Sequence, residues 1–204
     1  MSSECKERSG IVLASASPRR REMLQRMGVR FQVIPADVDE QAHGTETPEA
    51  FVVRLSRDKA LEVAQRHPTS GRWFIGSDTI VVCGGVIMGK PEDDTLAAQM
   101  LRRLSGTTHE VLSAYAIYDG QNKGWKQCCV STEVQVRALT EHEIEGYIAS
   151  GEPADKAGAY AIQGLGAFMV SAINGSYTSV VGLPLSELLM DLEELGAHRM
   201  FDAT

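Results

Sequence analysis

Two serines and two arginines, Ser15, Ser17, Arg19 and Arg20, stand where the apolar run beginning at Ile11 breaks into Ala14-Ser15-Ala16-Ser17-Pro18-Arg19-Arg20-Arg21. Hydroxyls, guanidinium forks and the free N–H groups of a helix start are the groups that bind phosphate. The spacing predicts a buried strand running into a helix. Ser17 suits the N-cap and Pro18 the first helical position, where no N–H is missed; Met23, Leu24 and Met27 then recur at helical spacing before Gly28. Cations in a first turn face the positive end of the helix dipole, and each exposed one forfeits about 0.3–1 kcal/mol. A bound anion reverses that sign. The alternative is a solvated arginine run on an ordinary amphipathic helix.

A second group could face the same anion. Asp78 interrupts the apolar run Trp73 to Cys83, and an acid there is costly to bury without a partner, so it is the carboxylate marked for function over a plain strand-end cap. Lys59 shares a face with Val52, Leu55 and Val63 on a helix predicted from the Thr47 cap and Pro48 to about His67. A lysine on such a stripe either snorkels to the core edge or points into a site. Lys90 follows the hairpin Cys83 to Met88, where a cation can meet the ligand of Asp78. The spacing of Gly84 to Lys90 fits a GxxxxGK loop, but Pro91 stands where the metal-binding Ser or Thr belongs and Val86 to Met88 has strand character, so that motif is rejected. The glycine-rich stretch Glu152 to Gly166 carries Asp155, Lys156 and Gln163 among residues that let backbone approach a ligand.

The elements that must position these groups are legible in part. Further strands are expected at Phe31 to Ile34, Val111 to Tyr118, Trp125 to Arg137 and Phe168 to Ile173. Further helices are expected from Asp93 or Asp94 to Gly106, from the capping box Thr140/Glu143 to Gly151, and from Pro184 through Leu195. Hairpins and strand-helix units together predict an α/β fold with a mixed sheet. At 204 residues, 43% hydrophobic and 23% charged, the chain has ordinary globular composition, and no repeat or linker divides it. We expect a disordered tail at 1–10 and a single domain over 11–204. The formal charge of -7 argues against a protein that wraps nucleic acid. Cys5, Cys83, Cys128 and Cys129 lack metal or disulfide spacing, and there is no apolar signal core or membrane-length run, which together suggest a reduced, cytoplasmic setting.

These motifs, with Asp37-Val38-Asp39-Glu40, Lys59-Ala60, Ser77-Asp78-Thr79, Gly89-Lys90-Pro91, Asp155-Lys156-Ala157-Gly158-Ala159-Tyr160, Ile162-Gln163-Gly164, Asn174-Gly175-Ser176-Tyr177 and Val180-Val181-Gly182-Leu183-Pro184-Leu185, resemble in order those of the Maf family of nucleoside triphosphate pyrophosphatases. The resemblance spans about residues 11 to 195. It implies a mixed twisted sheet with flanking helices and two lobes around a cleft, of the Maf/Ham1, ITPase-like kind. It also implies a divalent metal, Mg2+ or Mn2+, a cytoplasmic homodimer, and cleavage of a nucleotide between its α and β phosphates. Carried onto this sequence, Ser15, Ser17, Arg19, Arg20, Lys59 and Lys156 would bind phosphate. Asp78, Glu40 and Lys90 would be catalytic, with Glu40 and Asp78 also serving the metal. Arg19, Thr79 and Gln163 match the subset of the family associated with dTTP and UTP. Because bacterial members were named for septum formation, the alternative is a nucleotide-binding regulator of cell division without turnover.

Overall fold

The computed structural model describes residues 10–202, and the tail expected at 1–10, with Cys5, lies outside them except for Gly10. The first strand, β1 (Ile11–Leu13), runs into α1 (Pro18–Arg26) and returns as β2 (Phe31–Val33). Then come α2 (Pro48–Arg66), the long β3 (Trp73–Cys83), β4 (Val86–Met88) and α3 (Asp94–Leu104). A second long hairpin, β5 (Thr108–Asp119) and β6 (Trp125–Val136), precedes α4 (Glu141–Ala149). Three short 3-10 turns between Glu152 and Met169 lead to β7 (Val170–Asn174), α5 (Tyr177–Val181) and α6 (Leu185–Glu194).

The sheet is mixed, as expected. Its order is β2-β1-β3-β5-β6-β7, with β4 also on β3. β1 is parallel to β2 and β3, and the other pairings are antiparallel. The capping box of α4 forms as predicted, with Thr140 and Glu143 satisfying each other's backbone N–H groups. Cys128 and Cys129 pack on opposite faces of β6, as strand alternation requires.

One feature of the pairing creates the site. On one edge β3 is paired along nearly its whole length with β5, from Trp73 to Val82. On the other, β1 covers only Trp73 to Ile75 and β4 covers only Val81 to Cys83, so Gly76 to Ile80 has no strand beside it. The break separates two packed regions. One surrounds Leu13, Leu24, Ile75, Ile117 and Leu188; the other surrounds Met88, Leu101, Leu104, Val134 and Ile144. A cleft opens where a sheet edge is interrupted in this way.

Three local outcomes differ from the sequence expectation. β7 begins at Val170, because residues 164–169 form a 3-10 turn instead of the first residues of a strand. Residues 177–181 form a short helix, capped by the Ser176 hydroxyl accepting from the Ser179 N–H, where no helix was expected. Ser17 holds the N-cap position of α1, but its side chain makes no cap bond; its own N–H donates to the Ser15 hydroxyl. Among the described residues no helix is long and apolar enough to cross a membrane.

Candidate functional site

The cleft is a cavity of about 830 Å³, within the range of small-molecule sites. The start of α1, the loop carrying Glu40, the middle of β3, the end of β4 and the glycine-rich segment all reach it. Every residue expected to act, namely Ser15, Ser17, Arg19, Arg20, Glu40, Lys59, Asp78, Thr79, Lys90, Lys156 and Gln163, lines it.

On one side lie two carboxylates and a lysine. Alternation along β3 directs Asp78 toward α2. Lys59 Nζ stands 2.6 Å from Asp78 Oδ1 and 2.6 Å from Glu40 Oε1, so this lysine points into the site instead of snorkelling outward. Gly76 makes that approach possible: a Cβ there would lie 2.0 Å from the Ser56 carbonyl oxygen and 2.7 Å from the Ala60 nitrogen. Partial burial raises the pKa of Glu40, but the Lys59 hydrogen bond and the charges of Lys59, Lys90 and Arg20 outweigh it and hold the carboxyl below its ordinary value. Arg54 fastens the Glu40 loop to α2 by donating to the Gln41 carbonyl and to Glu46.

Arg20 is buried and largely committed to the protein. Its Nε donates to the Gly182 carbonyl at 2.7 Å, Nη1 to the Ser77 carbonyl at 2.7 Å and to the Ser15 hydroxyl at 3.2 Å, and Nη2 to the Thr79 hydroxyl at 3.1 Å. These bonds use four of the five guanidinium N–H groups and leave one on Nη2 beside the cavity. Burial lowers the guanidinium pKa, and the charge of Asp78 opposes that shift. Thr79 points to the opposite face from Asp78, and its hydroxyl also meets Ser113 Oγ at 2.8 Å. The structure therefore brings Thr79 to Arg20 and to the turn at Gly182.

Across the cleft, Asp155 lies 3.8 Å from Arg19 Nη1 and is ion-paired with Lys156. An internal carboxylate thus sits between the two outer cations. Lys90 and the Gln163 side chain make no hydrogen bonds within the described residues, and both border the cavity. The Gly158 N–H donates to the Gly89 carbonyl at 3.0 Å, tying the strand end that carries Lys90 to the glycine-rich segment.

Among the described residues no group of three or more His, Cys, Asp or Glu could hold a metal alone. Glu40 and Asp78 offer hard carboxylate oxygens on one wall, a donor set that suits a cation completing its shell with phosphate oxygens and water. Two arrangements were not legible in the sequence: the buried hydrogen bond at 2.7 Å between His109 Nε2 and the hydroxyl of Tyr160, which lines the cavity, and the bonding of Glu152 to the glycine-rich loop. Tyr160 closes a motif quoted above, but His109 lies just before the strand expected from Val111, and Glu152 has no signal of its own.

The family model described as Maf-like protein matches residues 10–195. A relative from Syntrophotalea carbinolica named dTTP/UTP pyrophosphatase is 56% identical over 193 residues, 95% of this chain and 88% of its own length. Relatives of the same name from Geobacter sulfurreducens and Shigella sonnei are 54% identical over 191 residues and 48% identical over 195 residues. The first covers 94% of this chain and 99% of its own, the second 94% and 95%.

Proposed function

The chain belongs to the Maf-like protein family, and from that premise we propose that it hydrolyses dTTP and UTP to the monophosphate and pyrophosphate. The observation that carries the reading is the cavity itself, with a cationic helix start on one wall, the Glu40–Lys59–Asp78 cluster on another and a free carboxamide at Gln163.

In this reading the Ser15 and Ser17 hydroxyls, the N–H groups of the first turn of α1 and the Arg19 guanidinium take the β and γ phosphates. The missing Ser17 cap bond leaves that helix start to a ligand. Triphosphate oxygens replace Asp155 as the partner of Arg19 and Lys156, and Lys90 adds a charge from the end of β4. Arg20 fixes the wall through its protein bonds and offers its remaining N–H to the charge that develops on the leaving pyrophosphate.

Asp78 accepts the proton of the attacking water through the carboxylate oxygen that Lys59 does not engage. Lys59 holds Asp78 and Glu40 in place and offsets their repulsion. Glu40 and Asp78 would also hold a divalent cation, Mg2+ or Mn2+. When bound, the ion supplies positive charge to the phosphate oxygens and acidifies a coordinated water.

Gln163 supplies the donor and acceptor that match the adjacent carbonyl and N–H of uracil or thymine. The enzyme would then act on the cytoplasmic nucleotide pool, as a homodimer by the family resemblance. The test is kcat/KM for UTP, dTTP, ATP, GTP and ITP with Mg2+ or Mn2+. Pyrimidine triphosphates ranked first support the reading, and purine triphosphates ranked first overturn the base assignment. Tight nucleotide binding without product would favour a non-catalytic regulator of cell division.

A further inference from the structure

Glu152 opens the glycine-rich segment, and its carboxylate is used almost entirely by the loop that carries Gln163. Oε1 accepts from the Gly166 N–H at 2.9 Å and from the Tyr147 hydroxyl at 2.9 Å, and Oε2 accepts from the Leu165 N–H at 2.9 Å. The Tyr147 hydroxyl accepts in turn from the Ala161 N–H at 3.2 Å. Gln163 therefore lies between two anchored points, Ala161 on one side and Leu165 with Gly166 on the other.

The packing leaves no slack. Gly164 has φ +78°, and a Cβ there would lie 2.5 Å from Glu152 Oε2; at Gly166 a Cβ would lie 2.7 Å from the Tyr147 hydroxyl and 2.3 Å from the Ala161 carbonyl. Glu152 and Tyr147 are absent from the cavity wall, whereas Ala161, Ile162 and Gln163 form part of it. Partial burial raises the pKa of Glu152, but the Gly166, Leu165 and Tyr147 bonds outweigh it, so it stays charged and able to accept all three.

We propose that Glu152 and Tyr147 are positioning residues for substrate selection, a carboxylate-phenol clamp that fixes the Ala161–Gly166 loop so that the Gln163 carboxamide meets the pyrimidine edge. The proposal rests on the base-reading role of Gln163 given above. A carboxamide at 152 has one acceptor oxygen in place of two, so at least one backbone N–H loses its partner and the loop loosens. Apart from Lys156, whose ammonium donates to the Glu152 main-chain carbonyl and not to its carboxylate, the phosphate-facing groups lie on other elements and keep their geometry. The loss therefore falls on discrimination, and on KM more than on kcat.

The test measures the ratio of kcat/KM for UTP to that for ATP in wild type, Glu152→Gln, Tyr147→Phe, Gln163→Ala and Glu152→Gln/Gln163→Ala. Glu152→Gln should lower the ratio about tenfold or more, chiefly by raising KM for UTP, and Tyr147→Phe should lower it less. The double variant should fall no further than Gln163→Ala alone, because the clamp acts through Gln163. If Glu152→Gln does not fold, Tyr147→Phe and its double variant with Gln163→Ala decide. A ratio lowered by Gln163→Ala but unchanged in both clamp variants, or losses that add, overturns the clamp and leaves the base reading intact. An unchanged ratio in Gln163→Ala overturns both.

Discussion

Lys59 Nζ and Asp78 Oδ1 stand 2.6 Å apart across the interface between α2 and β3, each side chain nearly buried, with Glu40 completing the cluster from a separate loop. The contact depends on Gly76, which lets the helix backbone lie against the strand. The gap between β1 and β4 leaves the main-chain edge of Gly76 to Ile80 without a strand on that side.

Asp78→Asn tests the base proposed above, since it keeps the side-chain shape and removes the carboxylate. A carboxamide cannot accept the water's proton, and a positioned general base contributes about 10²–10⁴-fold. We expect kcat for UTP to fall by that order while circular dichroism and the urea midpoint stay near wild type. A folded variant that turns over at the wild-type rate removes Asp78 from the mechanism.

Gly76→Ala should be costly for its size. The added methyl meets backbone on α2, which cannot swing aside as a side chain would, so we expect about 2–4 kcal/mol of lost stability in denaturant unfolding. Activity should fall with it as Lys59 is pushed from Asp78. Wild-type stability would show that the helix-strand approach is looser than described.

Arg20→Met tests how much of that arginine is structural. It strips the buried Ser77 carbonyl of its arginine donor, while the Gly182 carbonyl keeps the Ser77 and Thr79 hydroxyls, and an unsatisfied buried acceptor costs about 1–3 kcal/mol. We expect a loss in that range measured by urea titration, besides weaker triphosphate binding. A loss confined to binding would make Arg20 a ligand contact alone.

His109 predicts an acid limb in stability. Burial pushes its pKa down to about 4 from 6.5. Above pH 6.5 the ring is neutral whether the chain is folded or not, and the stability of the neutral buried ring is fully present. Between pH 6.5 and 4 the unfolded chain takes up a proton that the folded one refuses, so stability falls as pH falls, by about 2 kcal/mol at pH 5. Urea midpoints of wild type and His109→Asn at pH 7.5 and 5 check this: wild type should lose that much more than the variant. Parallel losses would assign the acid sensitivity elsewhere.

Local signals were readable wherever a short-range rule fixed the outcome. Thr140 and Glu143 announced a capping box, Cys83 to Met88 a hairpin, and Pro18 a helix start. Contacts set by tertiary packing were less so. Lys59 could as well have lain along the core edge, because nothing near it in sequence shows that Gly76 brings α2 onto β3. The segment 152–169 winds into 3-10 turns held by Glu152 and Tyr147, and such turns carry no 3.6-residue periodicity. The three residues that the family resemblance groups as base-selecting, Arg19, Thr79 and Gln163, occupy three parts of the cavity: Arg19 beside Asp155, Thr79 on Arg20, and Gln163 with a free carboxamide.

Hydrolysis of UTP by the wild-type protein in 18O-labelled water decides whether water attacks the α phosphorus with pyrophosphate leaving. Such attack yields UMP carrying the label and unlabelled pyrophosphate, with no orthophosphate. Orthophosphate with UDP, or label in the pyrophosphate, would place the attack on another phosphorus.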